Sequence, residues 1–177
     1  ASQHKGKRDF SFSPNGKFII YSHLNNLYKF DLSTQKSTAL TSNGKSNEII
    51  NGTADWVYEE EFSQTKYYDI SYDGRYLAYV SFEQFDVPPT ILNYYAGNTY
   101  PDYEVLKYPK VGEKNSVVRL HLIDLLKNKQ STINLGDYEY IPRLNFSDKN
   151  DYLVVQTLNR KQDFLQFQKV SCSNGKY

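Results

Sequence analysis

Short runs in which apolar and polar residues alternate recur along the whole chain, and turn-forming residues separate them. A period of two residues is typical of β-strands that bury one face. In the run at 117–124, Val118, Leu120 and Leu122 would face one side, and Arg119 and His121 the other. The pattern predicts strands at residues 10–12, 18–21, 27–32, 37–41, 90–95, 104–108, 117–124 and 131–135. The chain is therefore expected to be all-β.

One ten-residue segment occurs three times. Residues 12–21 match residues 70–79 almost position for position, and residues 146–155 form a looser third copy in which Asn150 replaces glycine. The serines that open the copies, Ser13, Ser71 and Ser147, lie 58 and 76 residues apart. Blades of β-propellers repeat with periods of about 40–50 residues, so both spacings predict insertions. The first insertion would hold residues 55–62, and the second would hold residues 87–114.

The repeat predicts successive antiparallel blades in which the three serines occupy equivalent positions. We expect about three four-stranded blades, beginning near residues 10, 67 and 138. Residues 1–9 are polar and basic, which favours an unpaired tail before the first blade.

Composition narrows the class of protein further. The 177 residues include 17 Tyr and 10 Phe, which suits packed sheets. The net charge of +1 gives no field that would attract nucleic acid or an anionic membrane. The single cysteine, Cys172, cannot form a disulfide within the chain. No apolar run approaches the ~20 residues that span a bilayer, and the chain does not open on a signal segment. Any membrane anchor is expected outside this sequence.

Residues 55–62 carry three consecutive glutamates, at 59–61, between large aromatic residues. From the charges alone, a solvated helix face is the ordinary explanation. The aromatic neighbours Trp56, Tyr58 and Phe62 need burial, however, and this would hold the acids near an apolar wall. Like charges repel at this distance, and burial penalises the ionised form. We therefore expect a cation to approach the cluster.

Three kinds of cation are candidates for the glutamate cluster: a metal ion, a basic side chain such as Lys66 or Arg160, or an ammonium group of a ligand. Calcium takes six to eight oxygens from a loop with alternating ligands, and consecutive glutamates on one turn supply few. No Cys/His spacing suits zinc, and no glycine-rich phosphate loop is present. We therefore expect neither a metal nor a cofactor.

The sequence contains no Gly-x-Ser-x-Gly nucleophile elbow. Its three histidines, His4, His23 and His121, are scattered, and the last two are expected to be surface or hydrogen-bonded strand residues. The chain therefore has no serine triad of its own.

The segment at 55–62, Asp-Trp-Val-Tyr-Glu-Glu-Glu-Phe, closely resembles the acidic signature in the propeller domain of the dipeptidyl peptidase IV family of serine peptidases. The resemblance implies that Glu60 and Glu61 bind the free N-terminal ammonium of a peptide substrate. A peptide amino terminus has a pKa of about 8, and carboxylates can accept its N–H donors in charge-assisted bonds. The supporting residues would be Asp55, Trp56, Tyr58 and Phe62.

Two further segments carry the same resemblance. Residues 108–112, Tyr-Pro-Lys-Val-Gly, are similar to a Tyr-Pro-Lys-Ala-Gly stretch that Asn-Pro follows in the family. Here Asn115 is followed by Ser116 instead of proline. Residues 158–163 resemble a weaker Asn-Arg-x-Gln pattern. The matches run in the family's order from residue 10 to residue 177.

The resemblance implies an eight-bladed propeller, of which this chain holds about three blades with a short helical insertion that carries the acidic signature. It also implies a separate C-terminal α/β-hydrolase domain, which is absent from this chain. The parent would be a homodimeric enzyme that removes N-terminal dipeptides, typically Xaa-Pro or Xaa-Ala. The alternative is a non-catalytic binding or accessory subunit of the same family, which a nucleophile elbow downstream would exclude.

The resemblance also implies the lumenal or extracellular side of a type II membrane protein in the Golgi, the vacuole or the cell surface, with the bacterial periplasm as the alternative. The abundance of Lys, Asn and Tyr suits a fungal member. Asn51 and Asn145 open Asn-x-Ser/Thr triplets and are candidate glycosylation sites.

Overall fold

A computed structural model describes residues 6–95, 97, 99–149 and 152–172. The strands are β1 (Lys7–Phe12), β2 (Phe18–His23), β3 (Asn26–Asp31), β4 (Lys36–Ala39), β5 (Ile49–Asn51), β6 (Tyr68–Ile70), β7 (Tyr76–Glu83), β8 (Pro89–Tyr94), β9 (Asp102–Lys107), β10 (Val117–Asp124), β11 (Lys129–Ile133), β12 (Tyr140–Phe146), β13 (Tyr152–Leu158) and β14 (Leu165–Ser171). One short helix, α1 (Trp56–Phe62), lies between β5 and β6. No helix among these residues is long and apolar enough to cross a membrane.

The strands form three successive antiparallel sheets and one separate hairpin. The first sheet has the order β1-β2-β3-β4, the second β11-β10-β7-β5 with β6 also on β7, and the third β12-β13-β14. The hairpin is β8-β9. Because β5 pairs with residues 81–83 of β7 and β6 with residues 77–79, the two form one interrupted edge strand. The predicted all-β fold is confirmed, and α1 emerges from the interruption.

The three sequence repeats lie at equivalent places. Ser13, Ser71 and Ser147 each precede the second strand of a sheet, and each donates its backbone N–H across the turn. These bonds join Ser13 to Phe18 (2.8 Å), Ser71 to Tyr76 (2.9 Å) and Ser147 to Tyr152 (3.0 Å). Gly16 and Gly74 have φ of +69° and +73°, which glycine adopts without strain. The repeat prediction is confirmed, although Asn150 lies outside the described residues.

Two apolar cores separate the three sheets, and β7 contributes to both. Leu77 and Tyr79 face the first sheet, while Ala78, Val80 and Phe82 face the third. Because successive side chains of a strand point to opposite sides, a strand buried on both faces must lie between two layers. The second sheet is therefore packed between its neighbours, as a blade is in a propeller.

The start of the first sheet differs from the sequence prediction. β1 begins at Lys7, and Lys7 and Arg8 pair with β2, so these residues are not part of an unpaired tail. The pairing shifts its register between Arg8 and Ser11, and Asp9 has a left-handed φ of 54°. This irregularity breaks the two-residue alternation from which a strand is recognised. Residues 1–5 lie outside the described part of the chain.

His121 is buried on β10, on the face opposite to Val118, Leu120 and Leu122. Its Nε2 lies 2.9 Å from Ser81 Oγ, and its Nδ1 lies 3.0 Å from Thr132 Oγ1. Its ring stacks on Tyr79 at 4.7 Å. Both ring nitrogens therefore have partners, as expected for a hydrogen-bonded strand histidine. Burial lowers the pKa of His121 from 6.5 to about 4.

This pKa predicts that the sheets lose stability in acid. Between pH 6.5 and about 4, His121 is protonated in the unfolded chain but neutral in the folded chain. The free energy of unfolding therefore decreases as the pH falls through this range. At about 1.4 kcal/mol per pKa unit, the loss reaches up to about 3 kcal/mol. We expect denaturant midpoints of the full-length protein to fall across this range. In a His121→Gln variant the midpoint should decrease less over the same pH range. A decrease as large as that of the wild type would contradict the prediction.

Candidate functional site

Helix α1 begins at a buried aspartate. Asp55 has an extended backbone (φ −79°, ψ 178°), and its Oδ1 accepts the N–H of Tyr58 at 3.0 Å. The Asp55 carbonyl accepts the N–H of Glu59 at 3.0 Å. This is the geometry of an N-cap, in which a side chain replaces a partner that the first helical turn lacks. After Phe62 the chain turns at Ser63, which is left-handed with φ of 50°.

The second carboxylate oxygen of Asp55 connects the helix to the second sheet. The hydroxyl of Ser116, one residue before β10, donates a hydrogen bond to Asp55 Oδ2. Burial raises the pKa of Asp55, while the bonds from Ser116 and from the backbone of Tyr58 act in the opposite direction. Proline, which the family resemblance places at 116, could not donate this bond. The departure from the family pattern thus supplies a contact that holds the helix start.

Tyr58 anchors the inner side of the helix. It is 2% exposed, and its ring packs edge-on against Phe62 at 5.0 Å and Phe82 at 4.7 Å. Its hydroxyl oxygen accepts the backbone N–H of Ile141, in the third sheet, at 2.9 Å. Burial raises the pKa of Tyr58 well above its usual range, so the phenol stays neutral. Phe62 is half-buried, and the centroid of its ring lies 5.8 Å from that of Tyr140.

The two ends of α1 have further contacts. The guanidinium of Arg143, on β12, donates to the carbonyl of Phe62 at 2.9 Å, where the helix leaves carbonyls without partners. At the other end, the Trp56 ring lies 4.3 Å from the ring of Tyr108 but remains 38% exposed. The expectation that all three aromatic residues are buried is therefore wrong for Trp56. Trp56 is the first residue of the helix and lies on its outer side, where its ring packs on Tyr108.

The three glutamates at 59–61 are exposed. The expectation of an apolar wall around them is wrong, because the helix turns Tyr58 inward and the acids outward. Their carboxylates form no ion pair or hydrogen bond with another described residue. Lys66 instead donates to Ser11 Oγ at 2.9 Å, and Arg160 pairs with Glu139 at 2.8 Å. Neither basic side chain therefore neutralises the cluster.

Helical geometry divides the three acids between two sides of α1. Successive residues are about 100° apart around the axis. Glu60 and Glu61 therefore lie on either side of the direction of Val57, while Glu59 points away from both. Glu61 borders a cleft of about 630 Å³. The cleft is lined by Trp56, Val57, Glu61, Tyr108, Pro109, Lys110, Val111, Asn115, Tyr140 and Gln162. Because α1 is regular, one cation could contact Glu60 and Glu61 together only by lying between them.

The two candidate glycosylation sites differ in accessibility. Asn51 is 1% exposed, and its Nδ2 donates to the Asn25 carbonyl at 3.2 Å and to Asn43 Oδ1 at 3.0 Å. A glycan on that nitrogen has no room in this fold, so the structure contradicts the Asn51 prediction. Asn145 is exposed on β12 and remains a prediction.

Sequence reasoning missed two side chains that hold the helix. Arg143 and Ser116 contact α1 from positions 81 and 61 residues away along the chain. The sequence could have indicated Ser116, since it is the residue at which this chain departs from the Asn-Pro pattern. It could not have indicated Arg143, because nothing in its local sequence distinguishes it from a surface arginine.

Comparisons with known proteins identify the family of this chain. Residues 1–176 match the family model of the dipeptidyl peptidase IV N-terminal region. Human prolyl endopeptidase FAP is 41% identical over 114 residues, which are 64% of this chain and 15% of that protein. Dipeptidyl peptidase 4 of Trichophyton equinum is 33% identical over 168 residues, which cover 86% of this chain and 21% of that protein.

A solved structure extends the match to three dimensions. The crystal structure of dipeptidyl peptidase 4 from Porphyromonas gingivalis superposes with a TM-score of 0.92 and 35% identity. The match covers 97% of this chain and 25% of that one. This chain thus spans a quarter or less of the length of these relatives. It belongs to the dipeptidyl peptidase IV family, as a part of the N-terminal propeller region.

Proposed function

We propose that this chain is the substrate-gating part of the propeller of a serine dipeptidyl aminopeptidase, and that Glu60 and Glu61 bind the free amino terminus of the peptide. The observation that carries the proposal is that helix α1 is fixed on one side and exposes its acidic residues on the other. Its inner side is fixed by Asp55 and Tyr58, while its outer side presents exposed carboxylates with no partner among the described residues. Fixed acids that no residue in the described part of the chain neutralises suit a cationic ligand.

The chemistry of an amino terminus fits the two carboxylates. An N-terminal ammonium has three N–H donors and is largely protonated at neutral pH. An ammonium between Glu60 and Glu61, over Val57, could donate to both in charge-assisted bonds. Held there at a fixed distance from a nucleophile, a peptide would be cut after its second residue, typically Xaa-Pro or Xaa-Ala. A substrate with a blocked amino terminus would lose these bonds.

The remaining parts of the proposal concern partners. The nucleophile would come from an α/β-hydrolase domain of the same protein. For the proposed homodimer, the β8–β9 hairpin offers a contact surface, since it pairs with no other described strand and exposes apolar side chains. These are Ile91, Leu92, Tyr94, Tyr103 and Val105. We also propose a lumenal, extracellular or periplasmic location, where peptide substrates would reach the cleft.

The proposal is tested by cleavage kinetics on the full-length protein. We expect kcat/KM for a peptide with a free amino terminus to exceed that for its N-acetylated form by at least tens-fold, because acetylation removes the charge that the glutamates bind. The paired substrates should differ only in the acetyl group. Equal rates for the two substrates would overturn the assignment of Glu60 and Glu61, and absence of any cleavage would favour the non-catalytic binding subunit.

A further inference from the structure

Asp9 lies in the first sheet, far along the chain from the acidic helix. It lies at the irregularity of β1: its φ is 54°, and the register of the strand shifts between Arg8 and Ser11. This conformation directs its side chain toward the second sheet, and the side chain is only 8% exposed. A carboxylate that is nine-tenths buried must be compensated by donors.

Three hydroxyl groups and one guanidinium compensate the Asp9 carboxylate. Oδ2 accepts from the hydroxyls of Ser22 at 3.2 Å and Thr53 at 3.1 Å. Oδ1 accepts from the hydroxyl of Thr65 at 3.2 Å. The neighbouring Arg8 Nε is 3.6 Å from Oδ2, and its side chain is 53% exposed. Ser22 belongs to the first sheet, but both threonines belong to the segment that carries α1.

Thr53 and Thr65 are the two ends of the helical insertion. Thr53 precedes the cap residue Asp55 by two positions, and Thr65 follows the left-handed Ser63 by two positions. The backbones at the two ends are paired, since Ala54 N–H donates to the Thr65 carbonyl at 2.8 Å. One carboxylate therefore holds both ends of the insertion from the first sheet, 44 and 56 residues away in sequence.

We propose that Asp9 is a positioning residue for the amino-terminus site, fixing where α1 presents Glu60 and Glu61. This inference rests on the proposed function. A seven-residue helix is too short to be stable alone, so its place is set by its contacts. A hydrogen bond from Ser116 connects the helix to the second sheet, and one from Ile141 connects it to the third. Asp9 connects the first sheet to both ends of the insertion through its hydrogen bonds.

The test compares Asp9→Asn with a matched control in the full-length protein. Asparagine tolerates the left-handed φ and keeps the size of the side chain, but it replaces one acceptor oxygen by a donor. The control is Asp31→Asn. Asp31 lies in the same sheet and accepts bonds from Ser33 and Thr34, but it has no bond to the insertion.

For Asp9→Asn we expect the ratio of kcat/KM for free over N-acetylated substrate to fall about tenfold to a hundredfold, because small displacements of a positioning group carry losses of this size. Hydrogen exchange in a peptide covering residues 53–67 should be faster. The control should change neither quantity. A purely structural role would lower both rates equally and leave the ratio unchanged, which would overturn the proposal.

A second variant keeps the proposal testable if Asp9→Asn does not fold. Thr65→Val removes one hydroxyl from an exposed position while keeping the shape of the side chain, so the fold should persist. It should lower the same ratio in the wild-type background and have little added effect in Asp9→Asn, since both changes weaken the contact between Asp9 and Thr65. Independent, additive effects would overturn the proposal. A wild-type enzyme that does not distinguish the two substrates overturns the proposed function as well, whereas a discriminating wild type with an unaltered Asp9→Asn overturns only this inference.

Discussion

Glu60→Gln and Glu61→Gln are each expected to lower kcat/KM for substrates with a free amino terminus by tens-fold to thousands-fold. Once the bound peptide covers the charge pair, losing one partner costs on the order of 2–5 kcal/mol, which gives this range. Both side chains are exposed on the outer side of α1 and support no described contact, so folding should be unaffected. The measurement is steady-state kinetics on the purified full-length protein.

Glu59→Gln is the matched control for these two variants. It removes the same charge from the same helix, at a residue that points away from Val57, and it should change kcat/KM by less than about threefold. Cleavage of the N-acetylated substrate should be similar in all three variants, since that substrate has no ammonium to bind. Wild-type rates in both the Glu60 and Glu61 variants, or an equal loss in the Glu59 variant, would contradict the assignment.

The repeat could be predicted from sequence because its determinants are local. In each complete copy, Ser-x-x-Gly encodes one turn, in which the serine N–H closes the hairpin and the glycine accepts a positive φ. β1 and β13 alternate along their length, whereas β2 and β7 are buried on most of both faces, so the ten-residue repeat identifies these two strands better than a two-residue period does. The helical insertion was expected from the family resemblance, and its cap is local, because Asp55 accepts a bond from a residue only three positions ahead.

The surroundings of the helix could not be predicted, because they depend on contacts between distant residues. Tyr58 meets Ile141 across 83 positions, and Asp9 meets Thr65 across 56. No pattern within one segment specifies either pair. The acidic run was misread for the same reason, since only the fold decides that Tyr58 takes the inner face and leaves the glutamates outside. Asn51 was misread because a glycosylation triplet carries no information about burial.

The structure predicts that Tyr58 contributes most to holding the acidic helix against the sheets. Tyr58→Ala should lower the free energy of unfolding of the propeller by about 3–5 kcal/mol, the usual loss when a large buried aromatic is truncated. The variant removes edge contacts with Phe62, Tyr67 and Phe82, and it leaves the Ile141 N–H without its acceptor. The measurement is the denaturant midpoint of the full-length protein, followed by a probe of the sheets.

Two controls separate the contributions of Tyr58. Tyr58→Phe keeps the ring and removes only the oxygen that accepts the Ile141 N–H, so it should cost about 1–3 kcal/mol. Tyr72→Ala truncates a tyrosine that is 67% exposed in the turn before β7, and it should change stability by less than about 0.5 kcal/mol. If Tyr58→Phe proved as costly as Tyr58→Ala, the hydrogen bond to the third sheet would outweigh the packing. If Tyr58→Ala were as mild as Tyr72→Ala, the helix would be held by Asp55 and Arg143 without its aromatic anchor.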